Sequence, residues 1–242
     1  MSAPLFFVQV LEEGSPAALG EEDARHAVRS LRLRPGDEVL LADGAGAVGR
    51  GTLRDDGAST VVDVAQVRRV TRARPLVGVA LAPPKGDRLT WAVQKLTEVG
   101  ADEIVLIESE RSVRHWEGDR GDRARGRLES VARQAAMQSR RAFVPSLAGS
   151  WSLRRALEGG RDAGDVVVLW EGATAPLADA LRPEAAGILL VVGPEGGFSE
   201  REAKDAAAAG AGLASLGEGI LRTETAALAA TVVALHRLGR LG

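Results

Sequence analysis

The sequence of 242 residues contains no cysteine, only three histidines and no long run of apolar residues. Without cysteine the chain has no disulfide bond, no thiolate metal ligand and no cysteine nucleophile. His115 and His236 have no acidic or histidine partner at metal-ligand spacing, so we predict no metal. No apolar run approaches the roughly 18 residues of a membrane span, so we predict no membrane association. The segment 1–11 lacks the basic start of a signal peptide, which favours a cytoplasmic protein.

Positive and negative charges nearly balance over the whole chain, but one stretch has an excess of basic residues. The net charge is −2, and 28 of the 31 basic residues are arginine, a bias that coding preference also explains. Between Arg68 and Arg141, however, 16 basic residues face 10 acidic ones, a local excess of +6. A basic stretch in an acidic chain is typical of a phosphate-binding face, although a solvated surface of mixed charge would give the same count.

The first part of the chain has the pattern of a small β-barrel. Short apolar segments alternate with turn sequences such as Asp43-Gly44-Ala45-Gly46. The predicted strands are 5–10, 37–42, 48–53 and 60–70, with one short helix at 21–30.

After residue 72 strands and helices alternate, which is typical of a parallel α/β sheet. In the segment 87–100, Leu89, Val93 and Leu96 recur at helical spacing. Asp87 is expected to cap this helix and Gly100 to end it. The other predicted strands are 76–81, 104–107, 166–170, 188–192 and 213–216, and the other predicted helices are 123–139, 199–209 and 223–238.

Two glycine-rich loops near the C-terminus are the most informative feature. The first, Gly193-Pro194-Glu195-Gly196-Gly197, follows the apolar run 188–192, and the second covers residues 216–226. Each leaves a predicted strand and enters a predicted helix, at the sheet edge where open α/β folds bind ligands. Neither has the spacing of a dinucleotide fingerprint or of a P-loop.

The loops read G-P-E-G-G-F-S-x-x-E and L-G-x-x-I-L-R-T-E-T-A. In this they resemble the cofactor loops of the knotted SPOUT methyltransferases, and in particular the family that methylates uridine N3 in small-subunit (16S) ribosomal RNA. The resemblance covers almost the whole chain, with further matches at 6–7, 26–37, 85–88, 94–98, 109–113 and 135–145. Within the first motif, Ser199 and Glu202 are explained as a helix-capping box.

This resemblance implies an α/β protein of two domains. Residues 1–72 would form a PUA-like β-barrel that helps to dock RNA, and residues 73–242 a SPOUT parallel-sheet domain with a deep trefoil knot. General rules of chain threading argue against a knot, so only the resemblance supports it. The resemblance also implies a homodimer through the last helix, which is apolar almost all round. A central helix buried within one monomer would give the same pattern.

The implied cofactor is S-adenosylmethionine. Backbone groups and apolar walls can hold its adenine, and a third loop after a strand, at Glu171-Gly172, lies at the same sheet edge. Glu195 would either help to neutralise the sulfonium or only fix its loop. The residues expected to bind the cofactor are Glu171, Gly172, Val192, Gly193, Pro194, Glu195, Gly196, Leu216, Gly217, Ile220, Leu221, Thr223, Thr225 and Ala226.

Methylation at N3 of uracil requires loss of a proton, and a fixed positive charge would stabilise the anion that forms. Arg222 is the catalytic candidate, and a salt bridge with Glu224 or another carboxylate is the structural alternative. No general base is evident. The family pattern L-G-x-R-I-L-R has an arginine where this chain has Gly219. That departure keeps open a non-catalytic RNA-binding assembly factor, beside a methyltransferase with another RNA target.

The expected partner is 16S ribosomal RNA or the small ribosomal subunit. Four tryptophans, Trp91, Trp116, Trp151 and Trp170, are candidates for stacking on bases, with core packing favoured for Trp170. Each basic candidate taken alone is equally typical of a solvated surface, and His26 of a structural role. The residues expected to contact RNA are His26, Arg29, Arg32, Lys85, Arg88, Arg111, Arg114, Arg140 and Arg141.

Overall fold

The computed structural model describes residues 3–56, 59–112 and 118–241. The chain divides into two compact units. The first comprises Met1–Arg72 and Arg133–Val144, and the second comprises Ala73–Ala132 and Pro145–Gly242. The segment Arg133–Val144 therefore joins the first unit although it is far away in sequence. The predicted domain limits, 1–72 and 73–242, stay a prediction.

The first unit is built on a five-stranded mixed sheet that forms a curled half-barrel. Its strands lie in the order β1-β3-β4-β5-β2; β1 pairs with β3 in parallel and the other pairs are antiparallel. A short helix, α1 (Glu21–Arg25), continues into a π-helical turn (His26–Ser30). The strands are β1 (Leu5–Phe7), β2 (Pro16–Ala18), β3 (Glu38–Ala42), β4 (Ala47–Asp55) and β5 (Thr60–Arg69).

Both faces of this sheet carry apolar residues, because successive side chains of a strand point to opposite sides. One face holds a buried cluster that includes Phe6, Leu41 and Val62. On the other face Leu5 and Phe7 join a cluster with Ala136 and Met137 of the segment Arg133–Val144. The sequence pattern predicted β1 and β3 to β5 but not β2, which has only three residues and begins with proline.

The second unit contains a six-stranded, all-parallel sheet in the order β11-β9-β10-β6-β7-β8. This architecture confirms the predicted parallel α/β class, and the trefoil knot stays a prediction. Its strands are β6 (Leu76–Leu81), β7 (Glu103–Glu108), β8 (Ser146–Ser152), β9 (Asp165–Leu169), β10 (Gly187–Val192) and β11 (Gly212–Ala214). The helices are α2 (Arg88–Val99), α3 (Gly118–Gln138), α4 (Leu153–Ala163), α5 (Leu177–Ala180), α6 (Glu200–Ala208) and α7 (Thr223–Arg237).

Strand β10 shows why its sequence is continuously apolar. All six of its residues are buried, since helices cover both faces of a parallel sheet. Ile188 and Leu190 pack in a cluster with α7 residues such as Leu235. Leu189 and Val191 pack on the opposite face in a cluster that includes residues of α4 and α6. A central strand of this kind brings its carboxyl end, and the loop after it, to the middle of the sheet edge.

The sequence signals at the two ends of α2 differ in how well they predict the structure. Gly100 has a φ of +111° and its N–H bonds to the carbonyl of Leu96, so it ends the helix as predicted. Asp87 holds the predicted N-cap position, but its side chain accepts no capping hydrogen bond. Its φ of −84° and ψ of 1° lie outside the extended conformation that a capping residue normally adopts.

Candidate active site

A cavity of about 170 Å³ opens at the carboxyl ends of β11, β9 and β10, three neighbouring parallel strands. The loops that follow these strands form its wall, together with the start of α7. The sheet edge thus gathers residues as far apart in the sequence as Leu169 and Ala226. The lining residues are Leu169, Trp170, Glu171, Val192, Gly193, Pro194, Gly197, Ala214, Ser215, Leu216, Gly217, Glu218, Gly219, Ile220, Leu221, Thr223 and Ala226.

The loop after β10 is a tight turn that depends on Gly197. Its N–H donates to the carbonyl of Pro194 at 2.8 Å, and its φ is +66°. A Cβ at this position would lie 2.7 Å from a carboxylate oxygen of Glu171. Glycine therefore serves both the left-handed backbone and the close approach of the loop after β9.

A buried hydrogen bond joins the two glycine-rich motifs. The hydroxyl of Thr223, the first residue of α7, donates to the carbonyl of Gly193 at 2.9 Å. Thr223 is only 3% exposed, so water does not compete for this bond. The start of α7 is thereby held against the loop that leaves β10, and the two motifs form one wall.

The loop after β11 adds backbone groups and apolar side chains. Ser215 folds this loop back on itself, because its hydroxyl accepts from the Gly217 N–H and donates to the Gly217 carbonyl, both at 3.1 Å. Gly217 has a φ of +113°. Ile220 is 93% exposed and Leu221 40% exposed, an unusual position for large aliphatic side chains.

Ten of the fourteen predicted cofactor residues line this cavity. The other four are Gly172, Glu195, Gly196 and Thr225. A Cβ at Gly172 would collide with the indole of Trp170, so packing explains that glycine. The Glu195 carboxylate accepts from the Lys85 backbone N–H at 3.2 Å, and the Gly196 carbonyl accepts from Arg111 at 2.6 Å. These contacts fix the loop through Lys85 and Arg111, which do not line the cavity.

The lining residues that sequence reasoning missed are Leu169, Trp170, Gly197, Ala214, Ser215, Glu218 and Gly219. Most of them end a predicted strand or sit between two predicted residues, so position at the sheet edge was the available signal. Trp170 packs against the core as favoured and also lines the cavity. A Cβ at Gly219 would meet nothing within 4 Å, so the place of the family arginine is open space.

A group of charged residues lies beside the two motifs. Arg88, at the start of α2, is 3.7 Å from Glu195 and 3.6 Å from Glu224. One carboxylate oxygen of Glu224 is buried and has no hydrogen bond partner in the described parts of the chain. Arg222 is exposed, and its side chain makes no ion pair or hydrogen bond with any described residue. Its alternative role as the partner of Glu224 is wrong, since Arg88 takes that place.

The predicted RNA-contacting residues fall in both units. His26, Arg29 and Arg32 are exposed in or next to the π-helical turn. The second unit holds Lys85, Arg88 and Arg111, and Arg114 lies outside the described residues. In the first unit Arg140 and Arg141 follow α3, and both Arg32 and Arg140 adopt a positive φ, of 56° and 55°.

Two further searches concern only residues 3–56, 59–112 and 118–241. They contain no group of three or more acidic or histidine side chains that would hold a metal ion. None of their helices is long and apolar enough to cross a membrane.

The parallel sheet, with a pocket made by the loops at its carboxyl edge, is that of an RNA methyltransferase. The family described as an RNA methyltransferase domain matches residues 72–235, and the one described as an RNA methyltransferase PUA domain matches residues 19–62. The predicted class of enzyme and the predicted PUA-type first part are confirmed.

Comparison over the full length identifies the particular family. The chain belongs to the family of ribosomal RNA small subunit methyltransferase E. It is 36% identical over 247 aligned residues to the Mycobacterium bovis member, covering 100% of this chain and 93% of the relative. The Bacillus subtilis member is 31% identical, with 91% and 90% covered. The crystal structure of the Neisseria gonorrhoeae enzyme bound to S-adenosyl methionine superposes with a TM-score of 0.86, at 28% identity over 97% of this chain and 98% of that chain.

Proposed function

We propose that the protein transfers a methyl group from S-adenosylmethionine to N3 of a uridine in 16S ribosomal RNA. The observation that carries this proposal is the cavity in which both glycine-rich motifs meet, joined by the bond between Thr223 and Gly193. The relatives named as small subunit methyltransferases support the RNA target, and the Neisseria enzyme supports the donor. A ribosomal RNA substrate also favours the cytoplasm.

The residues around the cavity fit this cofactor. The glycine turns at Gly193 and Gly217 offer backbone N–H and C=O groups without intervening side chains, as recognition of an adenine edge requires. Leu216 and Ile220 supply apolar surface for a flat ring. The carboxylates of Glu171 and Glu218 lie in the same wall and are suited to the positive charges of the cofactor.

When bound, S-adenosylmethionine supplies a methyl group on a positively charged sulfur. The chain's own contribution is to hold that group in place and to reduce the access of water. Trp170 and Leu216 line the cavity on the side of the sheet. The rigid strand ends beneath the loops limit how far the bound molecule can move, and such positioning lowers the barrier to transfer.

Arg222 is the residue that we propose to stabilise the uracil anion. It is the residue just before α7, where the positive end of the helix dipole lies, and its neighbours Leu221 and Thr223 both line the cavity. Its guanidinium is exposed and not neutralised by any described carboxylate. A fixed charge in this place favours the deprotonated base and hence the nucleophile for the methyl group.

We also propose that the active form is a homodimer through α7. Ala227, Ala230, Ala234 and Leu235 are buried within one chain, so monomer packing explains one side of the helix. A second apolar side remains only half-buried, and its residues are Leu228, Ala229, Val232 and Val233. A second copy of the chain would cover this side.

Light scattering tests the dimer. Leu228→Asp with Val232→Asp should give a particle near the 25.3 kDa of one chain and abolish transfer, whereas Arg237→Asp, at an exposed position of α7, serves as the control. A wild-type protein that is monomeric at micromolar concentration and fully active would contradict the proposal. Leu235 is unsuitable for this test because it belongs to the monomer core.

The function itself is tested by methyl transfer. The protein is incubated with methyl-labelled S-adenosylmethionine and either small ribosomal subunits or naked 16S RNA, and the modified nucleotide is mapped. We expect label at N3 of a uridine in 16S RNA. Label on another base would indicate a different target. Cofactor binding in calorimetry without transfer to either substrate would overturn the proposed reaction.

A further inference from the structure

The first unit has a groove that the proposed reaction does not use. It has a volume of about 370 Å³ and lies on the sheet face that carries Leu5 and Leu40. We call it the sheet groove and define it by Leu5, Leu40 and Val48 at its apolar floor and Arg50, Gln66, Arg68 and Arg140 at its rim. All of these residues belong to the first unit.

The strand register brings the floor and the rim together. Leu5 of β1 pairs with Leu40 of β3, Leu40 with Arg50 of β4, and Arg50 with Gln66 of β5. These four residues form one row across four strands. Residues directly opposite each other in a sheet point to the same face, so the row leads from two leucines to an arginine and an amide.

A second row lies two residues along the strands. Val48 pairs with Arg68, which therefore stands beside Gln66 on the same face. Arg140 reaches the rim from the end of α3, where its backbone N–H donates to the carbonyl of Met137 at 3.2 Å. The left-handed conformation of Arg140 turns the chain at that point.

The charge of the sheet groove has one sign. Three arginines line it, and none of the acidic residues that the structure describes does. Arg50, Gln66 and Arg68 are exposed, and within the described ranges neither the Arg50 nor the Arg68 side chain has a hydrogen bond or an ion pair. Arg54, farther along β4, shows the contrast, because its guanidinium is 3.1 Å from the Asp63 carboxylate.

An apolar floor under the unpaired guanidinium groups of Arg50 and Arg68 matches one kind of ligand. A duplex presents its phosphates outside and keeps its bases stacked, so it would leave the floor empty. An unstacked base can lie on an apolar surface, while arginines bind its edge and the adjoining phosphates. An acidic peptide would use the charge but not the flat floor.

We propose that the sheet groove binds an unstacked nucleotide of single-stranded RNA together with its flanking phosphates. This inference rests on the proposed function, since it makes the groove part of how the RNA substrate is held. Arg50 and Arg68 carry the binding. Arg68 is the first residue of the basic stretch that the sequence indicated, whereas Arg50 was not a candidate from the sequence.

The test uses full-length protein and two variants. Arg50→Ala with Arg68→Ala removes the two rim charges. Arg69→Ala and Arg34→Ala together remove two charges elsewhere in the first unit and serve as the matched control; Arg69 is exposed on the same strand as Arg68 but points to the other face. The probes are small-subunit RNA, a short oligouridine, and the same oligouridine annealed to oligoadenosine.

We expect the groove variant to bind oligouridine at least tenfold more weakly than the control variant does. Its log–log salt dependence should become shallower by about 1.4, because each single-strand phosphate contact contributes roughly 0.7. The annealed duplex should compete poorly with oligouridine for the wild type. With small-subunit RNA, kcat/KM should fall while kcat and cofactor affinity stay unchanged, as loss of uniform binding predicts.

Equal oligouridine affinity and equal salt slopes for the two variants would overturn the inference. Equal competition by the duplex would overturn its single-strand part. These outcomes differ from failure of the proposed function, in which the wild-type protein itself transfers no methyl group to ribosomal RNA. Melting temperatures of both variants check that exposed substitutions leave the fold intact.

Discussion

The second unit forms its cavity from loop backbone, whereas the first forms its groove from side chains on a sheet face. Around the cavity, Gly193, Gly197 and Gly217 contribute main-chain groups, and one threonine hydroxyl fixes the arrangement. Around the groove, Arg50 and Arg68 contribute guanidinium groups that the strand register places on one face of the sheet, in neighbouring rows. Recognition by backbone groups suits one small cofactor, and exposed arginine side chains suit a charged polymer.

The two sites should therefore respond differently to substitution. In a site formed by backbone groups, an added side chain weakens binding, because it fills the space that the ligand needs and disfavours a positive φ. In a site built from side chains, removing a charge does harm, and the backbone tolerates the change. The predictions below follow this contrast, from the largest expected effect to the smallest.

Arg222→Ala would be an exception in the second unit, since there a side chain carries the chemistry. Single-turnover methyl transfer should fall on the order of a hundredfold, comparable to the loss of one oxyanion donor. Cofactor affinity should change little. Arg237→Ala, at the other end of α7, is the control. If both variants transfer methyl at the same rate, Arg222 has no catalytic role.

Gly197→Val should weaken cofactor binding at least tenfold, or about 1.4 kcal/mol. The added Cβ would enter the space of the Glu171 carboxylate, and valine disfavours a φ of +66°. Gly196→Ala is the matched control, because a Cβ there lies 3.4 Å from the Arg111 side chain and the residue does not line the cavity. Calorimetry with S-adenosylmethionine measures both. Similar losses for the two variants would contradict this placement of the cofactor.

Thr223→Val keeps the shape of the side chain but removes the bond to the Gly193 carbonyl. Because that carbonyl would be left without its partner in a buried place, stability should fall by about 1–3 kcal/mol. Urea unfolding at fixed protein concentration gives the value. Thr225→Val, on the exposed side of the same helix, should leave it unchanged. An unaltered midpoint for Thr223→Val would show that the bond does not join the motifs in solution.

The double variant Arg50→Lys, Arg68→Lys tests whether the sheet groove requires arginine or only positive charge. The charges remain, so the salt dependence of oligouridine binding should stay as in the wild type. Affinity should fall a few-fold, about 1 kcal/mol or less, because lysine lacks the planar fork of donors. A flattened salt slope would indicate that lysines at these positions no longer reach the phosphates.

Gly219→Arg has the smallest expected effect on the fold. Nothing lies within 4 Å of the added Cβ, so the free energy of unfolding should change by no more than about 0.5 kcal/mol. In the Arg222→Ala background the new charge should restore part of the transfer rate. A rate below that of Arg222→Ala alone would show that the open space at Gly219 is needed for substrate.

Much of the second unit could be predicted from the sequence. The run 188–192 and the helical spacing of Leu89, Val93 and Leu96 correspond to β10 and α2. The elements that escaped are β8, α4 and α5. Local signals are weak in β8 and α5, whereas α4 has a Ser152 cap and an apolar face that a glycine pair obscures. Strand β8 contains a glycine and three serines, α4 includes the pair Gly159-Gly160, and α5 has four residues.

The cavity could be predicted for a related reason. Turns that follow parallel strands meet at one edge of the sheet whatever the details of packing, and glycine marks the turns that need a positive φ. Contacts between side chains that lie next to the loops but outside the cavity could not be predicted in this way. That Arg88 rather than Arg222 lies beside Glu224 depends on how α2 packs against α7, which the sequence leaves open.

By itself the sequence determined the two architectures, the loop motifs and the family, because each rests on local residue patterns. Tertiary structure alone decided which strands are neighbours, and with that the sheet groove. The row from Leu5 to Gln66 joins residues 61 positions apart, and Arg140 comes to its rim from a segment that joins the first unit only in the folded chain. Long-range pairing follows from the burial of whole faces, a property of the folded chain that no single segment contains.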